Sequence, residues 1–415
     1  MDLDDPKIHS GGMLNSVALP RPAFRRISHG RGFWVIAAAY AASLAFSTVP
    51  TPLYVLYQQR DGFPTYVVTI VFAAYAVGVM GSLYLAGHVS DWLGRRRVIL
   101  AATLTQALSA TLFLAWPDVP GLILARLVGG AGIGALTATA TAHLSELRAV
   151  ARPREDHGRA GLIATVVNMG GLALGPLFGG VFASYSAEPL TTPFVFFLVL
   201  LLAAAIAVAL VPETVERAEE RPAYRPQRVS LPSSARPAFF GAAIGAFAAF
   251  AITGLFMALT PTLLAQGMHE SSRLLAGLAS FSVFLAAAVA QVLFSGLARK
   301  TQLRLGLGLM VSGLVALPVA VTTSQLWLFV AGGIVAGAGV GLGFRASVAT
   351  VAALAEPPVR GEVLAALFLA AYAGLVLPIL LVGIALIWLP SAWALIGFSL
   401  LELGLLAWSA PKVLT

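Results

Sequence analysis

Apolar stretches of about twenty residues, separated by short polar breaks, recur along this chain from residue 33 almost to its C-terminus. Twelve can be marked, at 33 to 57, 65 to 87, 97 to 116, 121 to 145, 159 to 184, 191 to 211, 238 to 266, 272 to 297, 303 to 323, 325 to 349, 361 to 387 and 391 to 410. Each suffices for a helix to cross a hydrocarbon layer about 30 Å thick, which takes roughly 20 residues. Backbone exposed to lipid must satisfy its own hydrogen bonds, so only helices and closed barrels cross that layer, and these stretches are too long for barrel strands. The pattern predicts an all-α integral membrane protein of twelve transmembrane helices.

The one long polar interruption runs PETVERAEERPAYRPQRVSLPSSARP from Pro212 to Pro237 and reads as a linker, because its five prolines and mixed charge suit neither a helix nor a core. It divides the spans six and six. The expected organisation is a cytoplasmic tail over 1–32, an N-terminal six-helix bundle over 33–211, a cytoplasmic linker over 212–237 and a C-terminal bundle over 238–415. Internal matches support a repeat. Thr51-Pro52 recurs as Thr260-Pro261 and Gly87 as Gly296, both 209 residues on, while Gly130-Ala131-Gly132-Ile133-Gly134 recurs as Gly337-Ala338-Gly339-Val340-Gly341 at 207. Two halves inserted in the same orientation imply a pseudo-two-fold axis along the membrane normal and a cavity between them, the geometry of rocking carriers.

Charge then orients the chain. Only 11% of its 415 residues are charged and 59% are hydrophobic, against roughly a quarter charged in soluble domains. The arginines and lysines crowd the loops on one side: Arg95, Arg96, Arg97, Arg148, Arg152, Arg154, Arg159, Arg217, Arg221, Arg225, Arg228, Arg299, Lys300, Arg304 and Arg360. The opposite loops hold Arg60 and Arg273. Positive loops stay inside, so both termini are expected in the cytoplasm of a cell with the protein in its inner (plasma) membrane. The net charge of +8 is a topology signal rather than a nucleic-acid surface. Residues 1–32 have no apolar core and read as a loose tail rather than a cleaved signal. With no cysteine, thiolate chemistry is excluded. No metal cluster, nucleophile–base set or phosphate loop appears, so neither a metal nor an enzyme is expected.

The loop GHVSDWLGRRR, residues 87–97, joins spans 2 and 3. Orientation accounts for its arginines but not for Asp91. The stretch resembles the first signature of the major facilitator superfamily, a Gly-x-Leu-x-Asp-Arg-x-Gly-Arg-Arg loop. Gly87, Asp91, Gly94, Arg95 and Arg96 match it, while Val89 and Trp92 depart from it. The resemblance implies that Asp91 latches the two halves in the outward-facing state near the start of span 11, here Gly361-Glu362. The second-half copy, Gly296-Leu297-Ala298-Arg299-Lys300, lacks the acid, which leaves one such latch. In span 4, LARLVGGAGIGA is similar to the family's arginine followed by spaced glycines, with Arg126 as the arginine. In span 5, Gly171, Gly175, Pro176, Gly179 and Gly180 match the Gly-x-x-x-Gly-Pro-x-x-Gly-Gly core of the superfamily's drug exporters. Span 11 keeps an eroded version in Gly374 and Pro378.

Coupling and cargo are less legible. Span 1 lacks the acid that many proton-coupled drug exporters carry, and Glu402 is the one acid deep within a span. Arg126, His143 and Glu402 are the coupling candidates, with Asp91 as a conformational switch. The resemblance places the cavity among spans 1, 4, 7 and 10 with help from 5 and 11. Candidate lining residues are Tyr40, Ser43, Ser47, Thr139, Asn168, Met257, Arg345 and Tyr372. Such a pocket is mainly apolar and suits a neutral or amphiphilic organic solute. The expected function is export of small, largely hydrophobic compounds by a monomeric proton antiporter, with no cofactor beyond the proton gradient. Two alternatives stay open: a facilitator or importer of a sugar or organic anion held by Arg126 or Arg345, and a non-transporting membrane sensor.

Overall fold

The computed structural model describes residues 26–86, 89–154, 158–215, 235–355 and 360–414. Among them stand twelve helices long and apolar enough to cross a membrane: His29–Asp61, Thr65–Leu85, Arg95–Ala115, Val119–Ala151, Ala160–Tyr185, Thr192–Ala209, Arg236–Ala258, Arg273–Leu293, Arg299–Thr322, Leu326–Leu354, Gly361–Ala385 and Ser391–Val413, numbered spans 1 to 12. The protein is a multi-pass membrane protein. Most of the linker, residues 216–234, lies outside the described residues.

The repeat read in the sequence has structural counterparts. At Thr51-Pro52 the helix His29–Thr48 gives way to a tight turn, Thr51–Leu53, and then to the short helix Tyr54–Asp61. At Thr260-Pro261, span 7 ends at Ala258 and a short helix Thr260–Met268 follows. Span 7 is therefore not the continuous 238–266 helix expected. Proline supplies no N–H to the preceding turn, so both spans break where the dipeptide recurs.

The spaced glycines also do the same work twice. In span 4, Gly130 and Gly134 lie against span 2 at Tyr75 and Val79, while Gly132 lies against span 3 at Gln106 and Ala102. In span 10, Gly337 and Gly341 lie against span 8 at Val283 and Ala287, while Gly339 lies against span 9 at Met310 and Gly306. At each of these positions a Cβ would overlap the neighbouring helix. Without a hydrophobic driving force between helices in lipid, such close approach is what packing energy depends on.

The tryptophans mark two planes. Trp34 and Trp408 are exposed at the face carrying both ends of the described chain, called the tail face, and Trp116, Trp327, Trp388 and Trp393 at the opposite, far face. Aromatic belts of this kind sit at membrane interfaces. Between them the outer surface presents side chains such as Ile206, Leu293 and Leu400.

Candidate functional site

Two helix pairs join the halves: span 5 with span 8, and span 2 with span 11. Toward the far face these pairs are tight. A Cβ on Gly180 would come within 3.0 Å of the Arg273 carbonyl and 3.2 Å of Gly277 Cα, and Gly383 abuts the Thr69 side chain. Arg273 also donates across the seam, to Ala183 O at 3.4 Å and to Gln59 Oε1 at 3.3 Å. Toward the tail face the halves diverge around a cavity of about 300 Å³. At its mouth Thr141 and Gly161 are exposed. The described conformation is closed at the far face and open toward the tail face.

The cavity wall is aromatic on one side. Phe250 packs on Phe344 with ring centres 5.0 Å apart and on Tyr372 at 5.3 Å, and Phe344 meets Phe368 at 5.8 Å. All four line the cavity, together with Asn168, Met257, Gln291, Arg345 and the threonines Thr137, Thr141, Thr165 and Thr253. Among the described residues no aspartate or glutamate lines it. Of the residues expected on the wall, Asn168, Met257, Arg345 and Tyr372 are there, and Tyr40, Ser43, Ser47 and Thr139 are not. The hydroxyls of Ser43, Ser47 and Thr139 donate to carbonyls of their own helix, Ala39 O at 2.8 Å, Leu44 O at 2.7 Å and Ala135 O at 2.8 Å. Tyr40 is fully buried behind Asn168, whose amide donates to the Tyr40 hydroxyl. A membrane serine or threonine is satisfied locally, so its presence in a span says little about which way it faces. Gln291 and the three phenylalanines of the aromatic wall, Phe250, Phe344 and Phe368, were not singled out in the sequence. A cavity-facing position in a helix surrounded by protein carries no distinctive periodicity.

The drug-exporter-like core of span 5 has a definite mechanical role. Gly171, Gly175 and Gly179 lie against span 1, at Ala41 and Leu44, at Ala45 and Thr48, and at Val49 and Pro52. Gly180 points the other way, to Gly277 of span 8. Pro176 is unable to donate to Leu172 O, four residues earlier, and the Thr48 hydroxyl of span 1 reaches that carbonyl at 3.0 Å. The motif seats span 1 within its own half and brings the other half into contact.

Arg126 is 3% exposed in the far half of span 4. Its guanidinium donates to Ser47 O at 2.5 Å and lies over the ring of Tyr75 at 4.3 Å, while Nε has no partner among the described residues. No carboxylate pairs with it among those residues. Tyr75 is among the residues that line the cavity and Arg126 is not, so the arginine meets the wall through that ring. Glu402 is fully buried at the middle of span 12, which packs on spans 7 and 9 away from the cavity. Neither of its carboxylate oxygens, nor the Ser399 hydroxyl one turn earlier, has a hydrogen-bond partner among the described residues.

At the tail face the N-terminal half is tied by a polar cluster. Gly94, at φ 101°, joins the turn Ser90–Leu93 to span 3. Arg95 donates to Glu146 Oε1 at 3.2 Å and to Ser90 Oγ at 2.6 Å. The Thr214 hydroxyl donates to Glu146 Oε2 at 2.5 Å and lies 2.9 Å from Nδ1 of the buried His143. Arg96 donates to the carbonyl of Ala209, the last residue of span 6, at 3.5 Å and to Val211 O just beyond it at 3.2 Å, and its backbone N–H points at Glu213 Oε1 at 3.4 Å. Glu213 thus holds the N-terminus of span 3, where the helix dipole favours an anion. Glu213 and Thr214 stand a few residues beyond the end of span 6 and were read in the sequence only as linker. Gly87 and the Asp91 side chain lie outside the described residues, and Glu362 stands in the first turn of span 11.

The sequence model of the Major Facilitator Superfamily matches residues 36–323. The chain belongs to this superfamily. As a Major Facilitator Superfamily member it resembles the puromycin resistance protein pur8 of Streptomyces alboniger, at 36% identity over 28% of the chain and 22% of that protein. It is also similar to the arabinose-proton symporter of Bacillus subtilis (strain 168), at 32% identity over 19% of the chain and 17% of the symporter. These matches span less than a quarter of each relative. Among solved structures, that of the human organic anion transporter MFSD10 (TETRAN) superposes with a TM-score of 0.66 at 19% identity, over 92% of this chain and 100% of the other. The superfamily's transporter fold accounts for the two halves and the cavity between them.

Proposed function

We propose that the protein exports small, largely hydrophobic organic compounds from the cytoplasm by alternating access, with protons moving inward in exchange. The observation that carries this reading is the cavity between the halves: aromatic on one wall, lined by no carboxylate among the described residues, and sealed at the far face by Gly180, Gly277 and Arg273. Apolar pockets with a few fixed polar groups suit amphiphilic organic ligands. The arginine-rich loops support a cytoplasmic tail face, which makes the described state inward-facing and able to load from inside. The likeness of one segment to a puromycin resistance protein agrees with export.

Protons provide the energy in this reading, at roughly 2.3 kcal/mol per charge per 100 mV, enough for about a fiftyfold gradient of solute. We assign their passage to buried groups set apart from the cargo, Glu402 in span 12 and His143 beneath the tail-face cluster. Proteoliposomes loaded with an amphiphilic fluorescent dye test the proposal. An imposed pH gradient is expected to accelerate dye movement in the direction opposite to the protons. Dye movement indifferent to the gradient would remove proton antiport, and binding without any counterflow would favour a sensor.

A further inference from the structure

We infer that the cargo is an amphiphilic organic monoanion, its charged group held by Arg345 and Gln291 and its apolar body by the rings of Phe250, Phe344, Phe368 and Tyr372. This rests on the cavity being the transport site, as proposed above, and adds the sign of the charge it accepts.

Arg345 lies in the tail half of span 10 and lines the cavity. One of its N–H groups donates to Gln291 O at 2.9 Å. That carbonyl belongs to the last turn of span 8, where helix carbonyls lack partners within the helix. A guanidinium carries five N–H donors, and the remaining four make no hydrogen bond or ion pair with described residues. A cation in an apolar membrane cavity is costly unless something pairs with it, and among the described residues no carboxylate of the cavity wall does so.

A second donor stands beside it. Gln291 is 5% exposed and lines the same cavity, and its side-chain Nε2 has no hydrogen-bond partner among the described residues. An unused buried donor costs free energy until an acceptor arrives. Spans 8 and 10 therefore bring a planar cation with spare donors and a residue with an unpaired side-chain amide together on the cavity wall, joined by the hydrogen bond from Arg345 to Gln291 O. A carboxylate or sulfonate supplies the acceptors, and with guanidinium the bonds are charge-assisted and often bidentate. A single cation balances a single negative charge, so a monoanion fits better than a dianion. Phe344 directly precedes Arg345, and its ring belongs to the aromatic wall. The charge and the rings thus select one molecule with both features, such as an arylcarboxylic acid.

The test uses the full-length protein in detergent micelles and three probes of one shape: 2-naphthoate, its neutral carboxamide, and 2-naphthylmethylammonium. The acid is expected to bind about tenfold or more tighter than the amide, with the ammonium weakest. In Arg345→Gln the acid-to-amide ratio is expected to collapse toward one, and Arg345→Lys to retain part of it, because lysine keeps both the charge and the reach to Gln291 O. Gln291→Leu lowers the ratio by a smaller factor. Equal binding of all three probes, or an acid preference that survives Arg345→Gln, overturns the anion site while leaving export of amphiphiles standing. If none of the three binds, the transport cavity itself is refuted, and the anion inference falls with it.

Discussion

Replacing Thr48 by valine removes one hydroxyl at constant shape, at a buried position where spans 1 and 5 meet. The hydroxyl has three acceptors within reach: Leu44 O at 3.3 Å, Ala45 O at 3.2 Å and Leu172 O at 3.0 Å. Ala45 O already accepts from the Val49 N–H at 3.0 Å, and Leu44 O lies four residues before Thr48 within the same helix. Leu172 O differs, because the residue that would donate to it in an unbroken helix is Pro176. Thr48→Val strands that carbonyl inside the protein. Interhelical hydrogen bonds in membrane proteins average about 0.6 kcal/mol, with a maximum near 1.7, and an unsatisfied buried acceptor costs about 1 to 3. A loss of about 1 kcal/mol is expected.

The decisive measurement is the same substitution in a Pro176→Ala background. Alanine restores the backbone N–H that bonds Leu172 O, so the carbonyl no longer needs Thr48 and the cost of Thr48→Val should fall below about 0.3 kcal/mol, near the limit of additivity for uncoupled sites. Reversible unfolding of the four proteins in mixed micelles yields the coupling directly. A Thr48→Val cost that is equal in both backgrounds refutes the pairing of the hydroxyl with the proline-freed carbonyl.

Gly94→Ala places a Cβ at a φ of 101° and within 2.5 Å of Glu213 Oε2. The conformation alone costs about 1 to 3 kcal/mol, so a clear drop in thermal stability is expected, and an unchanged melting temperature would contradict the positive φ. Gly180→Leu fills the contact with Gly277 and should hold the far face apart. The chain has no cysteine, so Thr253→Cys serves as a single reporter in the cavity. An impermeant maleimide added at the far face should label it several-fold faster with Gly180→Leu, and an unchanged rate argues that the seam is not the gate. Asp91→Asn is expected to impair transport in proteoliposomes while expression persists, and wild-type turnover would remove the latch role carried over from the superfamily signature.

The spans were legible because a bilayer imposes a one-dimensional rule, about twenty apolar residues per crossing, which the chain obeys without reference to its neighbours. The spaced glycines were legible as close-packing positions, yet which helix each meets depends on the three-dimensional arrangement. Gly179 and Gly180 are adjacent in sequence and serve different halves. Side chains that bond over long sequence distances were hidden for the same reason: Glu213 meets Arg96 across 117 residues and Thr48 meets Leu172 across 124. Tyr40, Ser43, Ser47 and Thr139 show the converse. Polarity in a span is visible in sequence, but its local satisfaction is not.

The repeat also separates what the fold needs twice from what function needs once. Close packing recurs, since each half is a bundle that must bring its helices together by itself, and Gly130, Gly132 and Gly134 have working copies in Gly337, Gly339 and Gly341. The charges do not recur. At the offset of 207, Arg126 corresponds to Gly333 and Arg345 to Ala138, and the space beside Gly333 is taken by the ring of Phe256. A cavity is shared by both halves, so a group acting on its contents is needed on one wall only. Two membrane arginines without carboxylate partners among the described residues, one stacked on Tyr75 and one lining the cavity, are too costly to persist as duplicated scaffold. Their asymmetry is the reason to look for cargo chemistry at Arg345 rather than in the glycine framework that the halves have in common.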